Sequence, residues 1–190
     1  MRLVLLGPPG AGKGTQAKRL AEWLKVPAIS TGDIFRANIA GNTALGQLAR
    51  SFTDVGKLVP DEVTNEMVKD RLAQADTANG FLLDGYPRNV AQVAALDGML
   101  TEAGTVLDAV VEITADTDEV VGRLLKRAEI EGRPDDTEDV IRHRLEVYGE
   151  QTAPLTDVYG ARRLLVQVDG VGEIDEVTGR LTQALSALQG

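Results

Sequence analysis

Five short apolar runs punctuate the chain, at residues 3–6, 27–29, 81–83, 106–113 and 164–168, and helical patterns lie between them. Continuous apolar runs suit strands buried on both faces, and strands alternating with helices predict a parallel sheet with helices on both sides. Asp116-Thr117-Asp118-Glu119 supplies acid to the first turn of one helix, and Pro60-Asp61-Glu62 opens another. A last helix is predicted from about 173 to 188. No internal repeat or low-complexity segment interrupts this α/β pattern.

Two intervals break the alternation. Residues 30–59 carry helical sequence without a strand, broken at Gly32, Gly41, Gly46 and Gly56. Residues 126–137 are charged, running Arg127-Ala128-Glu129-Ile130-Glu131-Gly132-Arg133-Pro134-Asp135-Asp136, without apolar periodicity. Neither interval can add much to a sheet core. Each reads as ordinary connecting structure or as a flap over a ligand bound beyond the carboxyl ends of the strands.

The strongest chemical signal follows the first apolar run. Gly7-Pro8-Pro9-Gly10-Ala11-Gly12-Lys13-Gly14-Thr15 separates that run from a helix-like segment at 16–24, the strand–loop–helix context of a P-loop. Glycines let backbone N–H groups turn inward around an anion, and the helix directs its positive dipole end at the same point. Lys13 supplies a mobile charge for the outer phosphates. Gly14 stands between Lys13 and Thr15, which sets Thr15 one position beyond the usual metal-ligating hydroxyl.

Phe81-Leu82-Leu83-Asp84 is an apolar strand ending in an acid, suited to hold a magnesium ion or its waters beside phosphates, or to cap a turn. Ser30-Thr31-Gly32-Asp33-Ile34-Phe35-Arg36 brings a hydroxyl, an acid and an arginine to the exit of the second run, where Thr31 or Asp33 could also serve as an N-cap. Gly85-Tyr86-Pro87-Arg88 puts an arginine next to Asp84. Arg123 and Arg127 share one helix face, Arg133 follows in the charged segment, and Arg142 and Arg144 point in different directions. Arginine forks match phosphate oxygens, although such faces are commonly just solvated. His143 reads as an exposed helix residue without a partner, and Trp23 and the phenylalanines as core or flap packing.

The totals change the picture in one respect. The 190 residues carry a net charge of −9, with 43% hydrophobic and 26% charged residues. That excess of acid argues against nucleic acid or anionic membrane as a partner and makes a local cluster of arginines informative. No cysteine and one histidine exclude disulfides and argue against structural zinc. The opening apolar run is too short for a signal peptide, and no segment approaches a membrane span. A cytoplasmic monomer is expected.

Taken together, Gly-Pro-Pro-Gly-Ala-Gly-Lys-Gly-Thr-Gln, Ser-Thr-Gly-Asp-Ile-Phe-Arg, Gly-Lys-Leu-Val, Leu-Leu-Asp-Gly-Tyr-Pro-Arg, Arg-Pro-Asp-Asp and Gln-Thr-Ala-Pro-Leu stand in the order and spacing of the adenylate kinase family. The resemblance covers essentially the whole chain, and the Gly-Lys-Gly-Thr form of the loop is that family's own. It implies a P-loop NTPase fold: a five-stranded parallel sheet with a core of residues 1–29, 60–125 and 137–190. An AMP-binding flap would span 30–59 and a short lid 126–136. It implies transfer of the terminal phosphoryl of ATP to AMP, with Mg²⁺ and without the zinc of longer lids.

Carried over by position, Gly10, Ala11, Gly12, Lys13, Gly14 and Thr15 resemble the ATP phosphate loop. Arg123 and Arg127 resemble ATP-contacting arginines, and Gly172 an adenine contact. Thr31, Arg36, Lys57, Leu58, Val59, Gly85, Tyr86, Pro87, Arg88 and Gln92 resemble the AMP site. Arg133 and Arg144 match arginines around the transferred group, steadied by the lid acids Asp135 and Asp136. Lys13, Arg36, Arg88, Arg123, Arg133 and Arg144 would carry catalysis. Asp33 and Asp84 would hold the water shell of Mg²⁺, with Thr15 a further candidate. Glu129, inside the lid, is expected to point outward or pair with an arginine. UMP or CMP kinases of the same fold are the alternative, but they typically carry Ala and Asn where Thr31 and Gln92 stand. A guanine-nucleotide switch would need an Asn-Lys-x-Asp element, which is absent. A non-catalytic scaffold would have no use for Lys13, Asp84, Arg88 and Arg144 together.

Overall fold

A computed structural model of the chain describes residues 1–131 and 137–188. Its centre is a parallel sheet of five strands: β1 (Arg2–Leu6), β2 (Ala28–Ser30), β3 (Phe81–Asp84), β4 (Ala109–Thr114) and β5 (Leu165–Asp169). Their order across the sheet is β2-β3-β1-β4-β5. Leu5 of β1 pairs with Asp84 of β3, which in turn pairs with Ser30 of β2, so these carboxyl ends are in register. The parallel sheet predicted from the apolar runs is therefore present. β4 begins three residues later than its run: the Asp108 carboxylate accepts from the backbone N–H of Arg2 at 2.5 Å, and Val106 is left exposed outside the sheet.

Side-chain alternation along the strands divides the core in two. Leu3, Leu5, Leu82, Val111 and Ile113 face α1 (Lys13–Leu24) and α9 (Ile174–Ser186). Val4, Leu6, Leu83 and Val110 face the opposite side, covered by α4 (Asp61–Leu72), α5 (Val90–Glu102) and α8 (Leu155–Ala161).

Residues 30–59 form two helices, α2 (Thr31–Ala40) and α3 (Ala44–Thr53), with their own small core of Phe35, Ala49 and Val59. Gly32 and Gly46, expected as breaks, lie inside these helices. At Gly46 the reason is close approach, since a Cβ there would come within 2.1 Å of the Asn38 carbonyl oxygen. Ser30, not Thr31 or Asp33, is the N-cap of α2, accepting from the N–H of Asp33.

A helix α6 (Thr117–Glu131) also overruns its expectation. The segment from Lys126 lacks apolar periodicity, but residues 126–131 continue a helix anchored by Val120 and Leu124 against Ile141 of α7 (Glu138–Val147). Once nucleated, a helix extends readily through Lys, Arg, Ala and Glu without needing an apolar face. A π-helical turn, Tyr148–Thr152, which the sequence pattern did not suggest, links α7 to α8. Trp23 is another correction: it is 42% exposed on α1, whereas Phe35 and Phe81 are buried.

Truncation should separate these classes. Leu83→Ala, in the sheet, should cost about 2–5 kcal/mol of stability in urea unfolding. Trp23→Ala should cost less than about 1 kcal/mol, because its ring never leaves water fully.

Candidate active site

The loop after β1 runs directly into α1, whose N-cap is Gly12 and whose first residue is Lys13. The Lys13 ammonium folds back to donate to the carbonyls of Gly7 at 2.7 Å and Pro8 at 2.9 Å. Burial pushes it down to about 8; Asp84 partly offsets this, and Arg88, Arg144 and Arg127 add to it. Burial likewise lowers Arg88 to about 10, Arg144 and Arg36 act in the same direction, and Asp84 opposes them. Several cations thus converge on one acid in a chain that is acidic overall. Such a cluster is built for an anion of several charges.

Two adjoining cavities give the cluster its shape. The larger, of about 580 Å³, is lined by Thr31, Arg36, Lys57, Leu58, Val59, Gly85, Arg88, Gln92 and Arg144. The smaller, of about 70 Å³, is lined by Gly7, Lys13, Gly56, Pro87, Arg88 and Arg144. Arg88 and Arg144 border both, so they stand between the phosphate loop and the larger space. A third cavity, of about 280 Å³, is lined by Gly14, Ser30, Asp33 and Asp84.

Local contacts explain how the larger cavity is held. The Thr31 hydroxyl donates to the Gly85 carbonyl at 3.0 Å, and Arg88 Nε donates to the same oxygen at 2.8 Å. Gly85 has φ +82°, and a Cβ there would come within 2.7 Å of the Thr31 hydroxyl. Only glycine fits this turn without displacing Thr31. Thr152, in the π-helical turn, donates to the Arg88 carbonyl at 2.7 Å. Arg36 pairs with Asp33 at 2.5 Å, and both side chains are more than a third exposed. Exposed pairs of this kind contribute little, so Arg36 can exchange Asp33 for another anion at small cost.

Other expected residues stand further from these cavities. Tyr86 turns its side chain into the core, where its hydroxyl donates to Asn65 at 2.7 Å and burial pushes its phenol pKa up. Arg123 and Arg127 lie on α6 and Gly172 in the loop after β5, and none of them lines the three cavities. Arg127 still acts on Lys13 through its charge. Thr15 and Glu129 are exposed, Glu129 pointing outward as one of its two expectations had it. Arg142 pairs with Glu138 on the surface while Arg144 faces the cavities, so the two do diverge. His143 is not the bare surface residue expected: it is half-buried, 3.4 Å from Glu146, and a side chain at Gly56 would come within 3.3 Å of it. The end of the 30–59 segment therefore rests on α7. Arg133, Asp135 and Asp136 lie outside the described residues.

Asp33 and Asp84 are the candidate metal carboxylates. Among the described residues no group of three or more His, Cys, Asp or Glu could hold an ion by itself. Two carboxylates on one cavity beside Gly14 fit a hydrated Mg²⁺, which takes one or two carboxylates and completes its shell with water and phosphate oxygens.

Sequence reasoning missed Asp61 and Asn89. Gln92 Nε2 donates to Asp61 at 2.7 Å, Asn89 Nδ2 donates to the same carboxylate at 3.0 Å, and Gln92 Oε1 accepts from the Arg88 N–H at 2.7 Å. The Asn89-x-x-Gln92 spacing resembles a helix-start signature, and Asn89 does cap α5. Nothing local links either residue to Asp61.

Comparisons with known proteins match most of the chain. The family model described as adenylate kinase matches residues 5–164. A Nocardioides protein named adenylate kinase is 62% identical over 188 residues, covering 99% of this chain and 98% of its own. One from Kocuria rhizophila is 63% identical over 184 residues, covering 97% and 98%. One from Thermobifida fusca is 58% identical over 187 residues, covering 98% and 99%.

The lowered Lys13 pKa has a measurable sign. The unfolded chain, with lysine near 10.5, binds more protons than the folded one, with Lys13 near 8. Stability from this group should therefore rise as pH climbs from about 8 to 10.5. In urea titrations Lys13→Met should lose that rise and be more stable than the parent at pH 7. A phosphate ligand should restore the ammonium, so its binding at pH 8 should take up protons; calorimetry in buffers of different ionisation heat reads this directly.

Proposed function

Because the chain belongs to the adenylate kinase family, we propose that the cationic cleft carries the reversible transfer of the terminal phosphoryl group of ATP to AMP, giving two ADP. One observation carries the assignment of residues: Lys13, Arg88 and Arg144 border a single small cavity between the phosphate loop and the larger cavity. ATP is assigned to the loop, with its phosphates on the backbone from Gly10 to Thr15 and on Lys13. AMP is assigned to the larger cavity, with its phosphate on Arg36 and Arg88. Arg144 and Arg88 then face the group in transit. Arg123, Arg127 and Arg133 complete the cationic shell, Asp135 and Asp136 steady the lid arginines, and Gly172 meets the adenine of ATP.

The acceptor is a phosphate oxygen already ionised at neutral pH, so no general base is required. What the reaction needs is alignment and charge neutralisation. Lys13, Arg88 and Arg144 supply fixed positive charge in a partly buried space, where it acts more strongly than in water. Mg²⁺, when bound with ATP, supplies further neutralisation, and Asp33 and Asp84 would hold its water shell.

Residues 30–59 are assigned as the AMP flap and 126–136 as the lid, on a core of 1–29, 60–125 and 137–190. Their closure would exclude water, which otherwise competes as acceptor. Among the described residues no helix is long and apolar enough to cross a membrane. A cytoplasmic monomer completes the proposal.

ADP should appear when the protein is mixed with ATP, Mg²⁺ and AMP, and much more slowly with UMP or CMP. Arg88→Ala should slow turnover at least about 10²-fold without unfolding the protein; parental rates in that variant would refute its assignment. A bisubstrate analogue joining two adenosines through a phosphate chain should lower the radius of gyration in X-ray scattering, and an unchanged radius would count against moving flaps.

A further inference from the structure

The larger cavity contains one polar side chain whose orientation is decided from outside it. Gln92 lines the cavity and is 2% exposed. An amide offers two N–H donors and two lone pairs on its oxygen. In Gln92 one lone pair accepts from the Arg88 N–H at 2.7 Å, and one N–H donates to Asp61 Oδ1 at 2.7 Å. Turned end for end, the amide would direct its NH₂ at a backbone donor and its oxygen at a carboxylate. Both contacts would be repulsive, so the chemistry of the two neighbours permits one orientation only. What remains for a ligand is one N–H and one lone pair, in fixed order.

That order discriminates between purines. The adenine edge offers an acceptor at N1 and a donor at the 6-amino group. The hypoxanthine edge offers a donor at N1 and an acceptor at O6, the reverse. An amide locked one way can satisfy one of these edges at a given pose and leaves the other mispaired. Mispaired polar groups in a buried site discriminate strongly.

Asp61 is well placed to impose this lock. It is the first residue of α4, two positions after the end of the segment assigned as the flap, and it reaches across to the start of α5. It also accepts from Asn89 Nδ2 at 3.0 and 3.1 Å, which holds the carboxylate from a second side. The Arg88 N–H is the other half of the lock, but it belongs to the backbone and no side-chain change removes it. Asp61 is therefore the half that the sequence can vary.

We propose that Asp61 is a positioning residue for base selectivity: through Gln92 it sets the order of donor and acceptor that the cavity presents, and so selects adenine over 6-oxopurines. The inference rests on the assignment of AMP to this cavity. It adds a residue that need not touch the nucleotide.

The test compares equilibrium binding of AMP and of inosine 5′-monophosphate to the parent, Asp61→Asn and Asn89→Ser. An asparagine at 61 can present either an oxygen or an amino group, so only the Arg88 N–H still opposes the second orientation of Gln92. The ratio of the two dissociation constants should fall at least about tenfold in Asp61→Asn, the loss expected for one charge-assisted hydrogen bond. In turnover the KM for AMP should rise more than kcat falls. Asn89→Ser keeps a capping hydroxyl and removes both Asn89 contacts to Asp61 while leaving the Gln92–Asp61 bond, so its ratio should stay within about twofold of the parent's. A smaller change in Asp61→Asn, an equal fall in Asn89→Ser, or a parent that binds both nucleotides alike overturns the inference. If Asp61→Asn does not fold, Asp61→Ser is judged by the same ratio. ADP formation by the parent reports separately on the proposed function, because the binding ratio requires no turnover.

Discussion

Burial around one small cavity pulls Lys13 and Arg88 well below their ordinary pKa values, and the mutual repulsion of Lys13, Arg88 and Arg144 adds to it. A protein tolerates such an arrangement only where the scaffold holds it rigidly and a ligand relieves it. Much of the structure can be understood from this requirement. The loop that ends at Lys13, the first residue of α1, hangs between β1 and α1, both packed into a core in which Leu3, Leu5 and Leu20 are essentially inaccessible. Arg88 is pinned at its carbonyl by Thr152 and at its guanidinium by the Gly85 carbonyl. Asp84, at the end of a fully buried strand, is the acid that offsets both Lys13 and Arg88.

The same requirement explains the division of the molecule. On the proposed assignment, residues 30–59 are the part of the cleft wall that moves to admit nucleotide. The segment 30–59 has its own cluster, centred on Phe35, Ala49 and Val59 and separate from the two clusters that sandwich the sheet. Met67 of α4 packs against both that cluster and the adjoining sheet core. A segment with its own core can shift as a body without opening the main one, and the exposed Arg36–Asp33 pair can be exchanged at little cost as it does so.

On the proposed assignment of AMP to the larger cavity, recognition of the base follows different physics from recognition of phosphate. Phosphate is met by many cations, none of which needs a unique orientation. The base is met by a neutral amide whose meaning depends on which end faces the cavity. The Arg88 N–H and the Asp61 carboxylate decide that at Gln92, and the backbone of Arg88 thereby links base reading to the arginine that faces the phosphoryl group.

By itself the amino-acid sequence determined the parallel α/β layout, because uninterrupted apolar runs such as Phe81-Leu82-Leu83 are stable only as strands covered on both sides. It also determined the phosphate loop, whose glycines and lysine act within one turn of backbone. The bordering of one cleft by Arg88 and Arg144, 56 residues apart in the numbering, became legible only through the match of many motifs to a family. Tertiary structure alone decided what depends on partners distant in the chain. Trp23 stays 42% exposed on α1. Residues 126–131 remain helical because Val120 and Leu124 anchor the turns before them. Gly46 is a crossing point instead of a break. Asp61, which reads locally as the acid of a helix start, becomes the partner of Gln92 because α4 and α5 pack side by side. A hydrogen bond acts over about 3 Å of space, and no local pattern encodes which two residues the packing of distant elements will bring within that reach.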